Sequence, residues 1–160
     1  DYATLMGMAK LASMYTGIGR VREAQKVFLE VLAIQRRVLG GEYPDTLSTM
    51  GGLALAYAKQ GRRREAEQLF RDTIEKKRRV LGESNRSTLI TTYKMGCASL
   101  LWGDQKEALD WIRQAVERGY PEPEALAKDP DCRSLHGNPD FEQLVAAARK
   151  NAEKWVSSSQ

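Results

Sequence analysis

Hydrophobic positions along the chain recur at helical spacing, and the pattern then starts again. Between Leu47 and Tyr57 the apolar residues stand three or four positions apart, which places them on one face of an α-helix. A polar turn at Gly61 follows, and a second apolar stripe runs from Ala66 to Leu81. No stretch alternates apolar and polar residues, so the pattern predicts helices and no strands.

The period of this pattern is 42 residues. A shift by 42 residues places the stretch TLMGMAKLASMYTGIGRVREAQKVF, which begins at Thr4, on TLSTMGGLALAYAKQGRRREAEQLF, which begins at Thr46. A third, more divergent copy begins at Thr88. Each copy predicts two antiparallel helices, and such a pair buries its apolar face only by stacking on a neighbour. The predicted fold class is therefore all-α: a right-handed superhelix (solenoid) of about three antiparallel helix pairs plus a C-terminal capping helix.

The region after the third copy differs in composition. It is rich in Pro, Asp and Gly and then becomes helical again, with Asn138 as the predicted N-cap and a predicted apolar face at Phe141, Leu144, Val145 and Ala148. We interpret it as a linker and a cap over the last helix pair. Because the chain begins inside a repeat, we expect it to be a fragment of a longer protein. The predicted boundaries are 2–41, 44–83 and 86–119 for three units within an array spanning 1–120, 121–156 for the linker and capping helix, and 157–160 for a frayed tail.

The motif L-A-x-x-Y-x-x-x-G-R-x-x-E-A-x-x-x-F occurs at Leu11–Phe28 and again at Leu53–Phe70. It resembles the tetratricopeptide repeat (TPR). The long period, the PDTL at Pro44–Leu47 and the RRVLG before each new unit resemble the kinesin-light-chain-type variant of that repeat. The resemblance implies a protein-interaction module or scaffold, not an enzyme. The closing segment is similar to those that follow such arrays in bacterial signalling proteins, which implies membership of a larger protein.

The resemblance also implies a concave groove, lined by the first helix of each pair, that binds a peptide or helical segment of a partner. In many relatives two asparagines stand where this chain has Gly51 and Gly52, and all three units lack that pair. We expect the glycines to lower the floor of the groove, at a cost of about 2 kcal/mol in helix propensity. Small residues and two lysines favour a bulky apolar or helical ligand with an acidic group. The predicted groove residues are Lys10, Ser13, Gly51, Gly52, Leu55, Lys59, Ile90, Tyr93, Lys94 and Cys97.

Charge supports an alternative function. The formal net charge is +4, and the basic residues Arg36, Arg37, Arg78 and Arg79 recur near the ends of the second helices. Stacked repeats would align them in a ladder that could bind nucleic acid or an anionic surface. The competing interpretation is a solvated face whose basic residues favour the helix dipole. Nearby carboxylates dilute the positive field, so we favour a protein partner over nucleic acid.

Candidate catalytic chemistry is sparse. The single histidine, His136, has no partner at a supporting spacing, and no phosphate-binding or zinc-protease motif occurs. We therefore predict no enzyme activity, no catalytic residue, no cofactor and no metal site.

The two cysteines, Cys97 and Cys132, have neither metal-ligand spacing nor disulfide density. We expect Cys97 to be an inert thiol, and the cysteine content favours a reducing compartment, hence the cytoplasm. No apolar run approaches the length of a membrane span. A further hypothesis is self-association through the first repeat, whose apolar face would carry Tyr2, Leu5 and Met8.

Overall fold

The computed structural model describes all 160 residues, and its regular elements are all helices. The all-α prediction is confirmed, and the helices form three successive pairs followed by a closing segment. The α-helices are α1 (Tyr2–Gly17), α2 (Val21–Val38), α3 (Pro44–Lys59), α4 (Arg63–Leu81), α5 (Arg86–Ser99), α6 (Gln105–Glu117), α7 (Pro123–Lys128) and α8 (Pro139–Ser158), with 3-10 helices at Leu100–Trp102 and Pro130–Leu135.

The chain forms two compact units. Unit 1, Asp1–Gly82, holds the pairs α1/α2 and α3/α4, while unit 2, Glu83–Gln160, holds the pair α5/α6 and the closing segment. The helix of that segment continues to Ser158, two residues into the predicted tail, and residues 157–160 are exposed. Hydrogen bonds of the last helical turn extend to Ser159, whose backbone N–H donates to the Val156 carbonyl.

Unit 1 is built on a layer of small and aromatic side chains between its helices. Gly19 and Gly61 end the turns of the two pairs with φ of +84° and +76°, the left-handed conformation that glycine adopts without a Cβ clash. Ala12 and Ala24 are fully buried, and their small side chains allow α1 and α2 to approach closely. Phe28 fills the core between α2 and α3.

Unit 2 buries its own core between α5, α6 and α8. The apolar face of α8 predicted from the sequence is buried there, at Phe141, Leu144, Val145 and Ala148. The side-chain amide of Asn151 donates to the carbonyl oxygens of residues 116 and 120, at 2.8 and 3.0 Å. Helix α8 therefore lies on α6 through both apolar packing and hydrogen bonds.

Candidate functional site

An open groove lies between the first helices of unit 1, α1 and α3. Its cavity is about 390 Å³, within the range of ligand-sized clefts. The lining is mostly apolar, and the groove is defined here as the α1/α3 groove. The residues that line it are Met6, Gly7, Ala9, Lys10, Ser13, Phe28, Asp45, Ser48 and Thr49. Of the predicted groove residues, Lys10 and Ser13 line this cavity.

The space beside Gly52 is filled by the chain itself. A Cβ on Gly52 would lie 2.6 Å from Cζ of Phe28, which is closer than real Cβ contacts. Phe28 is only 1% exposed, so its ring has little freedom to move away. The expectation that Gly52 deepens the groove for a partner is therefore wrong: this glycine allows α2 and α3 to pack closely, and Gly51 beside it is half-buried.

Charge is unevenly distributed along the α1/α3 groove. Asp45 at one end accepts a hydrogen bond from the Tyr2 hydroxyl. Lys10 is exposed and forms no ion pair within the chain. Ser13 donates its hydroxyl to the Ala9 carbonyl, 3.1 Å away, so this side chain satisfies its donor within α1. The groove therefore contains one cationic side chain without an ion-pair partner, Lys10. It lies away from the Asp45 end and is available to an anionic ligand.

The predicted groove residues on α3 are less open. Leu55 is half-buried, and Nζ of Lys59 donates to the backbone carbonyl of Thr16 at 3.4 Å. Lys59 thus links α3 to the end of α1. Neither residue belongs to the lining of the α1/α3 cavity.

In unit 2 the predicted groove residues of α5 are covered by the chain itself. The hydroxyl of Tyr93 donates to Oδ2 of Asp129 at 3.0 Å, and Nζ of Lys94 lies 2.5 Å from the same oxygen. Nζ of Lys94 also lies 3.3 Å from Oδ2 of Asp131. The expectation that Tyr93 and Lys94 are open to a partner is corrected: residues 129–135, defined here as the cover, occupy that face.

Cys97 is bonded to Cys132 of the cover in a disulfide that joins residues 35 positions apart. Both cysteines are fully buried. The expectation of an inert Cys97 thiol is therefore wrong. No pattern in the sequence indicated this pairing, because the partners lie on different elements that meet only in the fold. Since disulfides persist in oxidising compartments, the cysteines no longer support the cytoplasmic location, which stays an untested prediction.

Two buried tyrosines of unit 2, Tyr93 and Tyr120, have raised pKa values. The rings of Tyr93 and Tyr120 lie 5.0 Å apart between centroids. Burial, reinforced by the negative charge of Asp129, raises the pKa of Tyr93 far above its ordinary value. Burial also raises the pKa of Tyr120 to about 12. Both hydroxyls therefore stay protonated at physiological pH, and Tyr93 remains a hydrogen-bond donor to the carboxylate.

The predicted arginine ladder of unit 1 is partly neutralised. Arg79 forms an ion pair with Glu42, and Arg78 is half-buried, whereas Arg36 and Arg37 are exposed. The basic residues around the turns and on α4 pair with neighbouring carboxylates in the same way. These pairs are Arg20–Glu23, Arg62–Glu65, Arg63–Glu67 and Lys76–Asp72. The geometry thus favours a solvated, charge-balanced face over a phosphate-binding ladder.

A larger cavity of about 460 Å³ lies between α2 and α4 of the same unit. Charges of both signs line it, including Arg36, Glu65 and Asp72, and two of these carboxylates already pair with basic side chains of the unit. Arg36 is exposed and forms no ion pair, but the cavity also holds two carboxylates, so its charge is mixed and its lining is less apolar than that of the α1/α3 groove. We therefore regard the α1/α3 groove as the candidate site.

The remaining predicted residues fall outside both cavities. Ile90 is half-buried against the core of unit 2, and His136 is exposed with its ring 6.2 Å from that of Phe141. Tyr2 is exposed, but Leu5 and Met8 are half-buried, which weakens the case for a continuous apolar face at those three residues. Other exposed apolar side chains in this region are Leu11 and Met14 on α1 and Ile18 just beyond its end.

Comparison with known proteins explains the paired helices. Residues 1–79 match the family model described as "Tetratricopeptide repeat". Residues 1–79 carry tetratricopeptide repeats. The resemblance drawn from the motif is thereby confirmed, and such repeats serve as protein–protein interaction scaffolds in a family that is not enzymatic. No curated protein matches the sequence. None of the helices is long and apolar enough to cross a membrane.

Solved structures of similar fold cover nearly the whole TPR chain. One is a crystal structure from Podosopora anserina described as "putative kinesin light chain nearly identical TPR-like repeats". It has 23% identity to this chain and a TM-score of 0.66, and the match covers 98% of this chain and 77% of that one. A substituted variant of the same repeats has the same identity and coverage, with a TM-score of 0.64. BtubC (BKLC) from P. vanneervenii has 18% identity and a TM-score of 0.65, covering 95% of this chain and 63% of its own. At these identities the likeness shows the fold.

Proposed function

We propose that the α1/α3 groove of unit 1 binds a short segment of a partner protein. An apolar side chain of that segment would lie in the cleft beside Met6 and Ala9, and a carboxylate would pair with Lys10. The observation that carries the proposal is an open, mostly apolar cleft with one unpaired, exposed lysine on its wall. A charge-assisted hydrogen bond beside an apolar contact is a frequent basis of peptide recognition.

The chain contains an internal example of the proposed contact. Lys94 occupies the same repeat position as Lys10, two periods of 42 residues further on. Its ammonium binds the carboxylate of Asp129, which belongs to a short non-repeat segment. Lysine at this position of the repeat is therefore oriented to bind a carboxylate from another segment, and Lys10 has no such partner within the chain.

The size of the cleft limits what can bind. A cavity of about 390 Å³ accommodates one or two side chains and not a whole folded surface. At the position of Tyr93, the first repeat carries Ala9, which leaves room for a bulky side chain next to Lys10. Asp45 at the far end would repel a second acid there. We infer a segment in which a bulky apolar residue lies close to one acidic residue.

Selection from a random peptide library on the full, oxidised chain tests this inference. Enriched peptides should share a bulky apolar residue next to Asp or Glu, and amide chemical shifts of α1 and α3 should change on titration with them. Enrichment of basic or purely polar peptides would contradict the proposal. Shift changes confined to unit 2 would contradict it equally, because they would place the binding site elsewhere.

One substitution tests whether the enriched peptides bind in the α1/α3 groove. Ser48→Arg would introduce a long cation into the cleft from α3 and should abolish binding of the enriched peptides while the helix content stays constant. Lys26→Arg, on an exposed position of α2, serves as a control that leaves the groove unchanged. Equal binding by the two variants would exclude the cleft as the site.

A further inference from the structure

We propose that residues 129–135 are a disulfide-locked cover over a second, carboxylate-binding surface on α5, and that reduction of Cys97–Cys132 opens this surface to an acidic segment of a partner. The surface consists of the Tyr93 hydroxyl and the Lys94 ammonium. It belongs to unit 2, so it is independent of the α1/α3 groove and of the function proposed for it.

The cover binds α5 in the manner of a ligand. Oδ2 of Asp129 accepts hydrogen bonds from both Tyr93 and Lys94, and the second carboxylate, Asp131, lies within reach of the same ammonium. The other oxygen of Asp129 accepts a hydrogen bond from the backbone N–H of Asp131 at 2.9 Å, which fixes the turn. An external segment with an Asp-x-Asp spacing could reproduce all of these contacts.

Helix α8 has contacts with α6 and the residues just beyond it that do not involve the cover. Helix α8 packs on the core through its own apolar face, which includes Phe141 and Leu144, and Asn151 binds two backbone carbonyls at the end of α6 and just beyond it. Gly137, with φ of +82°, lies between the cover and α8. The cover can therefore move about this glycine without displacing α8, although Leu135 must leave its buried position.

The disulfide determines whether that motion is available. A thiolate of a small thiol, or of a protein dithiol, attacks one sulfur and forms a mixed disulfide, while the other cysteine leaves as a thiolate and takes up a proton. A second thiol then resolves the mixed disulfide, so two thiols are oxidised to one disulfide and both cysteines become thiols. Because Cys97 and Cys132 are fully buried, the attack requires a local fluctuation of the cover that exposes one sulfur, and the cover can move away from α5 only after the bond is broken. Opening and reduction are thus coupled.

Hydrogen exchange and lysine labelling on the oxidised and reduced chain test the coupling. Reduction should raise amide exchange within 129–135 and the acylation rate of Lys94 by about ten-fold or more, since opening then no longer works against the covalent link. Exchange in α6 and α8 requires unfolding of the whole unit and should rise by a smaller factor than exchange in the cover. Unchanged rates in the cover would overturn the proposal. An equal rise throughout residues 83–160 would also overturn it, because the disulfide would then stabilise the whole unit and not the cover in particular.

The rate of reduction by a small thiol gives an independent measurement. Asp129→Asn weakens the charged contact of the cover and should speed reduction several-fold. Asp110→Asn, which removes a half-exposed carboxylate on α6 that pairs with Arg113, is the matched control and should leave the rate unchanged. Equal rates for both variants would contradict the coupling.

Binding of an acidic probe completes the test. The probe is a fluorescent peptide with the sequence of residues 125–138 carrying C132S. It should bind the double variant Asp129→Asn/Cys132→Ser and not the oxidised parent chain. Adding Lys94→Glu to the double variant should abolish binding. Equal binding by the oxidised parent chain, or no binding by a double variant whose α8 retains its exchange protection, would overturn the proposal.

Discussion

Gly52 shows how one absent methyl group sets the spacing of two helices. The ring of Phe28 comes so close to the backbone of α3 that a Cβ there would overlap it. The sequence revealed the glycine pair and its position in the repeat, but not the side chain that approaches it from the preceding helix. That contact depends on how helices pack, and periodicity along one helix contains no such information.

Gly52→Ala should therefore destabilise unit 1 by about 1–2 kcal/mol, because an overpacking cost of about 1–3 kcal/mol exceeds the gain of up to about 1 kcal/mol in helix propensity. Gly7→Ala is the matched control, since a Cβ there meets nothing within 4 Å, and it should stabilise the helix. Urea unfolding followed by circular dichroism measures both free energies of unfolding. A stabilising Gly52→Ala would contradict the packing described.

Lys77 is a second residue whose effect on the free energy of unfolding can be measured. It is buried in α4, and burial lowers its pKa from 10.5 to about 8. Because the unfolded chain binds this proton more tightly, the folded state loses about 3 kcal/mol from this group at pH 7. This destabilisation has its full size below pH 8, decreases as the pH rises from 8, and vanishes above about pH 10.5.

Lys77→Met should therefore raise the free energy of unfolding by about 1–3 kcal/mol at pH 7, with the advantage fading between pH 8 and 10.5. The equivalent position of the first helix pair holds the uncharged Gln35, which shows that the site accepts a neutral side chain of similar length. Denaturant unfolding of both chains at several pH values gives the difference. An advantage that does not depend on pH would contradict the assigned cause.

At the scale of elements, the repeat period predicted the paired helices and their order, because stripes of apolar residues and turn glycines are local signals. Outside the repeats, the Asn-Pro start signal and the spacing of apolar residues predicted the N-cap and the buried face of α8. The cover was missed: its residues are mostly polar and follow no helical or strand period, and it is held by Asp129 and Cys132 through partners more than thirty positions away. As a result, three predicted groove residues of α5 lie under the chain itself, whereas Lys10 and Ser13 line an open cleft.

The start of α8 depends on one cap. Oδ1 of Asn138 accepts hydrogen bonds from the backbone N–H groups of Asp140 and Phe141, at 2.9 and 3.2 Å. Asn138→Ala should cost about 1 kcal/mol, while Asn138→Asp, which keeps the acceptor, should cost much less. Tryptophan fluorescence during urea unfolding reports this directly, since Trp155 lies on α8. Equal losses for Ala and Asp would contradict the capping role.

At the scale of the whole molecule, the two units can be observed separately. All three tryptophans, Trp102, Trp111 and Trp155, lie in unit 2, so their fluorescence reports that unit, whereas circular dichroism reports both. The disulfide also lies wholly within unit 2. That the array belongs to a larger signalling protein stays a prediction.

Reduction of the disulfide should lower the free energy of unfolding of unit 2 by about 4 kcal/mol or less, the chain-entropy value for a closed loop of this length. The tryptophan transition should therefore move to lower urea concentration. The part of the circular dichroism transition that belongs to unit 1 should stay in place. An unshifted tryptophan transition would contradict the disulfide, and a shift of both transitions would contradict the assignment of its effect to unit 2.

The central claim is that the α1/α3 groove binds a partner segment through Lys10. Its most direct test is the dissociation constant of a library-selected peptide for the oxidised parent chain, Lys10→Glu and Lys26→Glu, measured by calorimetry. Both variants make the same charge change at an exposed lysine of unit 1, but only Lys10 lines the cleft. We predict that Lys10→Glu weakens binding by about ten-fold or more and that Lys26→Glu stays close to the parent. Equal dissociation constants for the two variants would contradict the account.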